Sequence, residues 1–388
     1  MTQKTRVRII LVALMIGLGT IASAAEGEIR LQYKAGDGLK IGDGDNLVHL
    51  QSRLQGRFTY TGLEGATDTD GFAVQRGKIK IEGYTLKRTL KFGLQLNAAT
   101  RARATTAAAC TNAACTATAN TITAESTSGA PLLEDFYFDW VPVREFGVLA
   151  GQYKARYLIQ ELTSSGKQQF VDRSLGTGPF NFGRDLGVTI HGIVTNRDLG
   201  YHLFAMNGDT LNTLNRNRGF LLGSRFELPI LGTYLWSESD TDNSESQNLG
   251  IGLAYAYNEA VSATQNGTVA AGTKASHGTL DVGYKYHGWS FQGAGMITRT
   301  MEGAKLTNWG YHAQLGKFLI PKKVEIAAKT SSVIFSNAVV NQFEHSVGFN
   351  YFIAGHGLKL QTDYAFLPNS RGQDLNDNRF RTQMQVIF

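Results

Sequence analysis

From Leu47 to Tyr60 the chain reads LVHLQSRLQGRFTY, and apolar and polar residues change places at almost every step. Val48, Leu50, Leu54, Phe58 and Tyr60 fall on one side, while His49, Gln51, Arg53, Gln55 and Arg57 fall on the other. A period of two specifies a strand with one dry face and one wet face. The pattern returns in TLKFGLQLNA, where Leu90, Phe92, Leu94 and Leu96 oppose Lys91, Gln95 and Asn97. It returns again in GLKLQTDYAF, with Leu358, Leu360, Tyr364 and Phe366 against Lys359, Gln361 and Asp363. In FRTQMQVIF, Phe380, Met384, Val386 and Phe388 oppose Arg381, Gln383 and Gln385.

Soluble sandwiches alternate in the same way, so length has to decide. Segments of about ten residues exceed the five or six usual in sandwiches and match the 9–11 needed to cross a bilayer at a tilt. Tyr60, Tyr84, Trp140, Trp289 and Trp309 fall at segment ends, as expected of aromatic girdles at two membrane interfaces. The spans 47–60, 71–84, 89–99, 132–140, 146–157, 185–195, 200–207, 218–228, 247–258, 278–287, 289–299, 309–318, 323–332, 344–354, 357–366 and 379–388 make sixteen strands. An even number suits a closed barrel with both ends on the periplasmic side. The predicted fold is therefore all-β, a 16-stranded antiparallel transmembrane β-barrel. Connections at 85–88, 142–145, 196–199, 288, 319–322 and 355–356 are short, and those at 100–131, 158–184, 259–277 and 367–378 are longer, as periplasmic turns and outer loops should be. The connection 229–246 departs from this scheme, being long and acidic on the side of the short turns.

Composition agrees with strands and turns. Among 388 residues there are 44 glycines, only 6 prolines, and 10% aromatics. Lys4, Arg6 and Arg8 precede the apolar run from Ile9 to Ala22, and Ala22-Ser23-Ala24 supplies the small residues of a cleavage site, so residues 1–24 read as a secretory signal peptide. Residues 25–46 then form a short periplasmic N-terminal segment and 47–388 the barrel. Loss of the leader takes the formal net charge from +6 to about +3, which leaves little basis for nucleic-acid binding.

The stretches GVLAGQYKARYLIQELTSS (147–165), FVDRS (170–174) and GRDLGVTIHGIVTNRDLGYHLFAMNGD (183–209) resemble the phosphate-selective porin O and P family. GYHAQLGKFLIPKKVEIAAK (310–329), HSVGFNYFIAGHGLKLQTDYAF (345–366) and RTQMQVIF (381–388) are similar to its C-terminal half. The resemblance covers essentially the whole mature chain. It implies an outer-membrane barrel, usually a homotrimer, whose third outer loop folds inward to narrow a pore lined by arginines and lysines that pass phosphate or polyphosphate. Arg156 stands where the family tends to have a proline. The terminal Phe388, with apolar residues at every second position before it, resembles the signal by which outer-membrane proteins are recognised for insertion.

The faces assigned by alternation place charge as well. Arg53, Arg57, Arg76, Lys78, Lys80 and Lys91 lie on the wet sides of the first three strands, where Glu82 is the one acid. Charge facing lipid costs about 2–4 kcal/mol at the midplane, so these groups are expected to face a water-filled lumen. Clustered cations in a narrow passage raise the local concentration of anions, and the arginine fork matches tetrahedral oxyanions. Bracing is the competing role, because lumenal arginines also pair with acids on inward loops, and Asp135, Asp139, Asp281, Glu325 and Asp363 lie on other walls. In the loop 158–184, Lys167, Arg173 and Arg184 are candidate constriction residues with Asp172 as a partner, and Gly176, Gly178, Pro179 and Gly183 permit tight folding.

The Ala/Thr-rich stretch 101–130 carries the two cysteines. In an exported chain, Cys110 and Cys115 read as a local disulfide, since two thiols without histidines make a poor zinc site. The eight histidines are scattered singly at 49, 191, 202, 277, 287, 312, 345 and 356. None is spaced as a metal or catalytic motif, although His312 or His345 beside Ser346 can be imagined in a barrel enzyme. No cofactor and no metal is expected. The expected function is passive diffusion of small inorganic anions, phosphate among them, through a channel held in outer-membrane lipid. Two alternatives stay open at this stage: a weakly selective porin or one for another solute, and an outer-membrane barrel enzyme or adhesin.

Overall fold

The computed structural model describes residues 29–99, 132–194, 198–215, 218–234, 237–259, 272–302, 305–336, 341–372 and 374–388. The leader read over 1–24 and the Cys110–Cys115 pair lie outside the described residues. The chain forms an N-terminal hairpin, β1 (Arg30–Lys34) and β2 (Gly38–Gly42), followed by sixteen long strands. These are β3 (Leu47–Gly62), β4 (Thr69–Thr85), β5 (Leu90–Asn97), β6 (Leu132–Val143), β7 (Phe146–Lys154), β8 (Arg184–Val194), β9 (Leu199–Met206), β10 (Leu221–Leu231), β11 (Asn248–Asn258), β12 (Ala275–Tyr286), β13 (Trp289–Thr300), β14 (Thr307–Ile320), β15 (Val324–Ile334), β16 (Gln342–Ala354), β17 (Leu358–Leu367) and β18 (Asp377–Ile387). Each of the sixteen pairs antiparallel with the next. The ring closes where β18 meets β3, with Asn378 opposite Gly62 and Ile387 opposite Arg53. No described helix is long and apolar enough to cross a membrane.

Alternation becomes an inside-out distribution of polarity. Along β16, Val347, Phe349, Tyr351 and Ile353 face outward at 42–59% exposure, whereas Glu344, Ser346 and Asn350 are buried within the barrel. The apolar half of each strand is thus available to lipid, which solvates it as the core would in a soluble protein. Trp140, Trp289 and Trp309 are half exposed near strand ends. Short connections close tightly, as at His287 and Gly288, where φ is +46° and +76°, the backbone of a two-residue turn matched to strand twist.

Two parts add to the expected layout. Within the N-terminal segment 25–46, β2 pairs with the first rungs of β3, from Leu39 opposite Leu50 to Gly42 opposite Leu47. Those rungs continue the edge of β3 just below the place where Phe388 exchanges backbone hydrogen bonds with Ser52 at 2.6 and 3.0 Å. An edge left open by the end of β18 is thereby covered. The second is the connection between β10 and β11, the long acidic turn of the sequence, part of which enters the lumen, where Glu238, Ser239 and Asp240 are 0–3% exposed.

The barrel interior is not uniformly wet. The loop between β7 and β8 crosses it, with a short helix α1 (Ile159–Leu162) on the way in and a 3-10 helix (Leu175–Phe180) on the way back. Its Tyr157, Phe180 and Phe182 pack on Phe204, Met206, Leu221, Ala254, Ala256, Met296 and Val333, inward residues of β9, β10, β11, β13 and β15. An apolar seat inside the lumen holds the loop through the same burial that builds a soluble core.

Candidate functional site

With the loop seated on the β9–β15 wall, the open space lies along β3–β8 and β18. A cavity of about 420 Å³ is lined there by Arg57, Arg76, Lys78, Lys154, Arg173, Arg184, Arg379 and Arg381, against the acids Glu134, Glu161 and Asp172. A smaller one of about 50 Å³ lies toward the periplasm, lined by Gln51, Arg53, Lys78, Lys80, Gln95 and Ser164. Lys78 borders both, and so marks the narrow place between them.

Strand pairing brings the cations together. Arg53 sits opposite Lys78, Gln55 opposite Arg76 and Gln51 opposite Lys80, so alternate residues of β3 and β4 form a ladder on one face. Arg53, 8% exposed, donates from Nη1 to Ser164 Oγ and from Nη2 to Ser165 Oγ, both at 3.0 Å. Gly166 allows this approach, since a β-carbon there would lie 2.5 Å from Arg53 Nη1. Arg57 donates to Asp172 Oδ2 at 3.1 Å and to the Val171 carbonyl at 3.0 Å. Arg76 donates to Asp172 Oδ1 at 3.3 Å and to Gln55 at 3.0 Å. Burial opposes the charge of Asp172, but Arg76, Arg57 and Arg381 outweigh it and hold the carboxyl well below the usual carboxylate range.

A second cluster flanks the narrow place. Lys78 Nζ lies 2.6 Å from Glu134 Oε2, which Arg184 approaches at 3.3 Å. Arg184 also forks onto Asp135 at 2.9 and 3.1 Å. Within the loop, Arg173 meets Glu161 at 3.0 Å and Lys154 reaches the same carboxylate at 3.6 Å. Burial of Glu161 works against its ionisation, and Arg173 and Lys154 reverse the balance, lowering its value. Bracing and lining are therefore carried by the same cations. Each acid neutralises part of the field and fixes a guanidinium or ammonium in place.

Most residues expected from alternation assemble here, with two exceptions. Lys91 is exposed beside the periplasmic turn between β4 and β5, across from Asp139, and borders neither cavity. Lys167 is exposed at the loop apex and borders neither cavity, because its neighbours Ser164 and Ser165 take the position facing β3. Lys80 borders the lower cavity and pairs with Glu82. The acids expected on other walls are engaged too: Asp363 receives a fork from Arg381 at 2.7 Å, Asp281 receives one from Arg225, and Asp139 bonds His191.

Lys154, Ser164, Ser165, Arg379 and Arg381 were not among the expected site residues, although Arg381 shares the wet side of β18 with Gln383 and Gln385 and could have been included by parity alone. Glu134 could not. Counting by twos puts it on the lipid side with Phe136 and Phe138. A bulge opposite Gln95 and Leu96 shifts the register and turns Glu134 inward beside Asp135. Among the described residues no group of three or more His, Cys, Asp or Glu is placed to hold a metal ion.

The model of the phosphate-selective porin O and P family matches residues 48–388. A protein of Aquifex aeolicus (strain VF5), described as uncharacterized, is 26% identical over 301 residues, 68% of this chain and 70% of the relative. Among solved structures, the anion-selective porin from Comamonas acidovorans superposes with a TM-score of 0.57 at 10% identity, over 88% of this chain and all of that one. The trimer form of OmpT, an outer membrane protein of Vibrio cholerae, gives 0.52 at 10% identity, over 88% and 99%. These structural likenesses are likenesses of fold. The match along nearly the whole length, on a closed barrel of sixteen strands narrowed by an inward loop, places the chain in the phosphate-selective porin O and P family, porins of the bacterial outer membrane.

Proposed function

We propose that this outer-membrane porin passes small inorganic anions, phosphate among them, through the crescent between β3–β8 and the inward loop. The observation that carries the reading is the imbalance around the larger cavity, where eight lysines and arginines face three carboxylates. Such an excess in a passage walled by protein concentrates anions and repels cations. Among the described residues Arg53 bonds two hydroxyls and no carboxylate, at the lower end of the crescent. Serine hydroxyls next to it can also donate to an oxyanion. Every site is partly shared with a carboxylate or hydroxyl, which favours passage over tight capture, since conduction needs weak and repeated sites.

The family and the trimeric form recorded for the Vibrio cholerae protein support a homotrimer for this chain, and the succession of basic start, apolar run and small residues supports removal of residues 1–24 before insertion. Purified protein in planar bilayers tests the channel reading. Reversal potential under a potassium chloride gradient is expected to show chloride favoured, with the chloride current reduced by millimolar phosphate; preference for potassium would overturn the proposal. Intact mass of the membrane-extracted protein checks the leader boundary, and chemical crosslinking in membranes checks the trimer.

A further inference from the structure

We infer that residues 237–240 of the periplasmic connection between β10 and β11 are the second half of the constriction, with Glu238 as a positioning residue that sets the apex of the inward loop against β3. This inference rests on the anion pathway proposed above. The segment enters the barrel from the side opposite the loop, and the two meet inside. Glu238, 3% exposed, accepts a hydrogen bond on Oε2 from the Gln169 backbone N–H at 2.7 Å and one on Oε1 from Gln160 Nε2 at 3.3 Å. Its own N–H donates to the Lys167 carbonyl at 3.3 Å. One side chain thus ties the inbound limb of the loop, through Gln160, to the apex, through Gln169.

Around that contact the segment is fixed to the wall. Ser239 Oγ donates to Glu325 Oε2 at 2.8 Å, and Glu325 Oε1 receives Gln169 Nε2 at 2.7 Å. Lys285 Nζ donates to the Ser239 carbonyl at 2.9 Å, and Asp240 Oδ2 accepts from the Gly288 N–H at 2.8 Å in the neighbouring turn. Space for Gln169 is cut by Gly316 of β14, where a β-carbon would fall 1.9 Å from its Nε2. The apex that these bonds hold is short. The Lys167 N–H closes a turn on the Ser164 carbonyl at 2.8 Å, and Ser164 and Ser165 are the hydroxyls on Arg53. A shift at Gln169 is therefore transmitted within five residues to the group that borders the passage. The long acidic connection that stood apart from the other periplasmic turns in the sequence has this use.

The charge of Glu238 and its positioning act in opposite directions, which makes the inference testable in the full-length protein. Removing a lumenal carboxylate by itself raises anion preference. Loosening the apex lowers it, because the passage widens and the field of Arg53 weakens with distance. In planar bilayers Glu238→Ala is expected to raise single-channel conductance and lower the anion-to-cation permeability ratio by about twofold or more. Glu238→Gln, which keeps an acceptor for the Gln169 N–H but loses the charge, is expected to match or exceed the unsubstituted protein in anion preference without a rise in conductance. An unchanged or higher anion preference in Glu238→Ala overturns the inference while leaving the pathway intact; cation preference in the unsubstituted protein overturns the pathway itself. If Glu238→Ala does not assemble, the pair Lys167→Cys and Glu238→Cys, with Cys110 and Cys115 replaced by serine, carries the test. Oxidation to the crosslinked form should restore the anion preference that the reduced form lacks, and equal permeability ratios in the two forms overturn the inference.

Discussion

Arg53 on β3 donates to Ser165 of the inward loop at 3.0 Å, so a residue that lines the passage also holds the loop that narrows it. The second fork of the guanidinium goes to Ser164 at the same distance. Arg53→Gln is expected to lower the anion-to-cation permeability ratio several-fold, about what loss of one unpaired lumenal charge allows. Arg53→Lys keeps the charge without the fork and should retain selectivity while its open-channel current becomes noisier. Reversal potentials and single-channel records of both variants check this, and equal ratios in Arg53→Gln and the unsubstituted protein would reduce Arg53 to a brace.

Arg57 and Arg76 differ from Arg53 because they share Asp172. Replacing Arg53, Arg57 and Arg76 together by glutamine is expected to move the reversal potential toward cations and to raise conductance as well, since all three also anchor the loop. A shift without any rise in conductance would show that Asp172 keeps the loop in place through Arg381 alone.

The same contact sets a pH window. The Asp172 carboxyl is held below its ordinary value, so the anchoring it contributes is complete above the unfolded value of about 3.9 and is lost only as pH falls through the lower folded value. Conductance and selectivity contributed by this anchor should be flat between about pH 7 and pH 4. Asp172→Asn should resemble the acid state at every pH. Current recordings across that range check it, and a transition in the unsubstituted protein near pH 5 that Asp172→Asn abolishes would contradict it.

Glu134 is the carboxylate nearest the narrow place, with Lys78 at 2.6 Å and Arg184 at 3.3 Å. Glu134→Gln removes one negative charge and releases part of two positive ones. The expected result is a higher anion-to-cation permeability ratio and stronger reduction of chloride current by phosphate, measured as the phosphate concentration that halves the current.

Gly310 on β14 faces Phe180 so closely that a β-carbon would lie 2.3 Å from the ring. Gly310→Ala is expected to unseat the returning limb of the loop, as is Phe180→Ala, which forfeits about 3–5 kcal/mol of packing at a fully buried site. Both should raise conductance while the barrel still forms. Protease sensitivity of the loop, followed beside the mobility of the unheated barrel on gels, separates the two effects.

The barrel was legible because its period of two repeats along nearly every strand, and a slip by one residue would turn a whole strand's charges into lipid. Each of the sixteen expected spans overlaps an observed strand. Arg53, Arg57, Arg76, Lys78 and Lys80 border one or other of the two cavities, on the face that parity assigns to them. Glu134 escaped it because a bulge breaks the count, and Lys91 was assigned to the pathway because parity gives a face but not a height along the barrel axis. The seat for the loop left a fainter trace: Gly310, Gly316 and Gly348 stand at inward positions where polar side chains would be expected, and each leaves room for Phe180, Gln169 or Phe170.

Alternation, strand length and the charges on the wet faces are properties of neighbouring residues, and so the chain by itself determined a membrane barrel with a basic first wall. Which part of the lumen stays open is a different kind of fact. It depends on contacts such as Arg57 with Asp172, 115 positions apart, and Gln169 with Glu325, 156 apart. Only the closed barrel brings those residues within hydrogen-bond distance, and with them it decides that a loop from one side and a turn from the other fill part of the lumen and leave the basic wall of β3 and β4 facing open space.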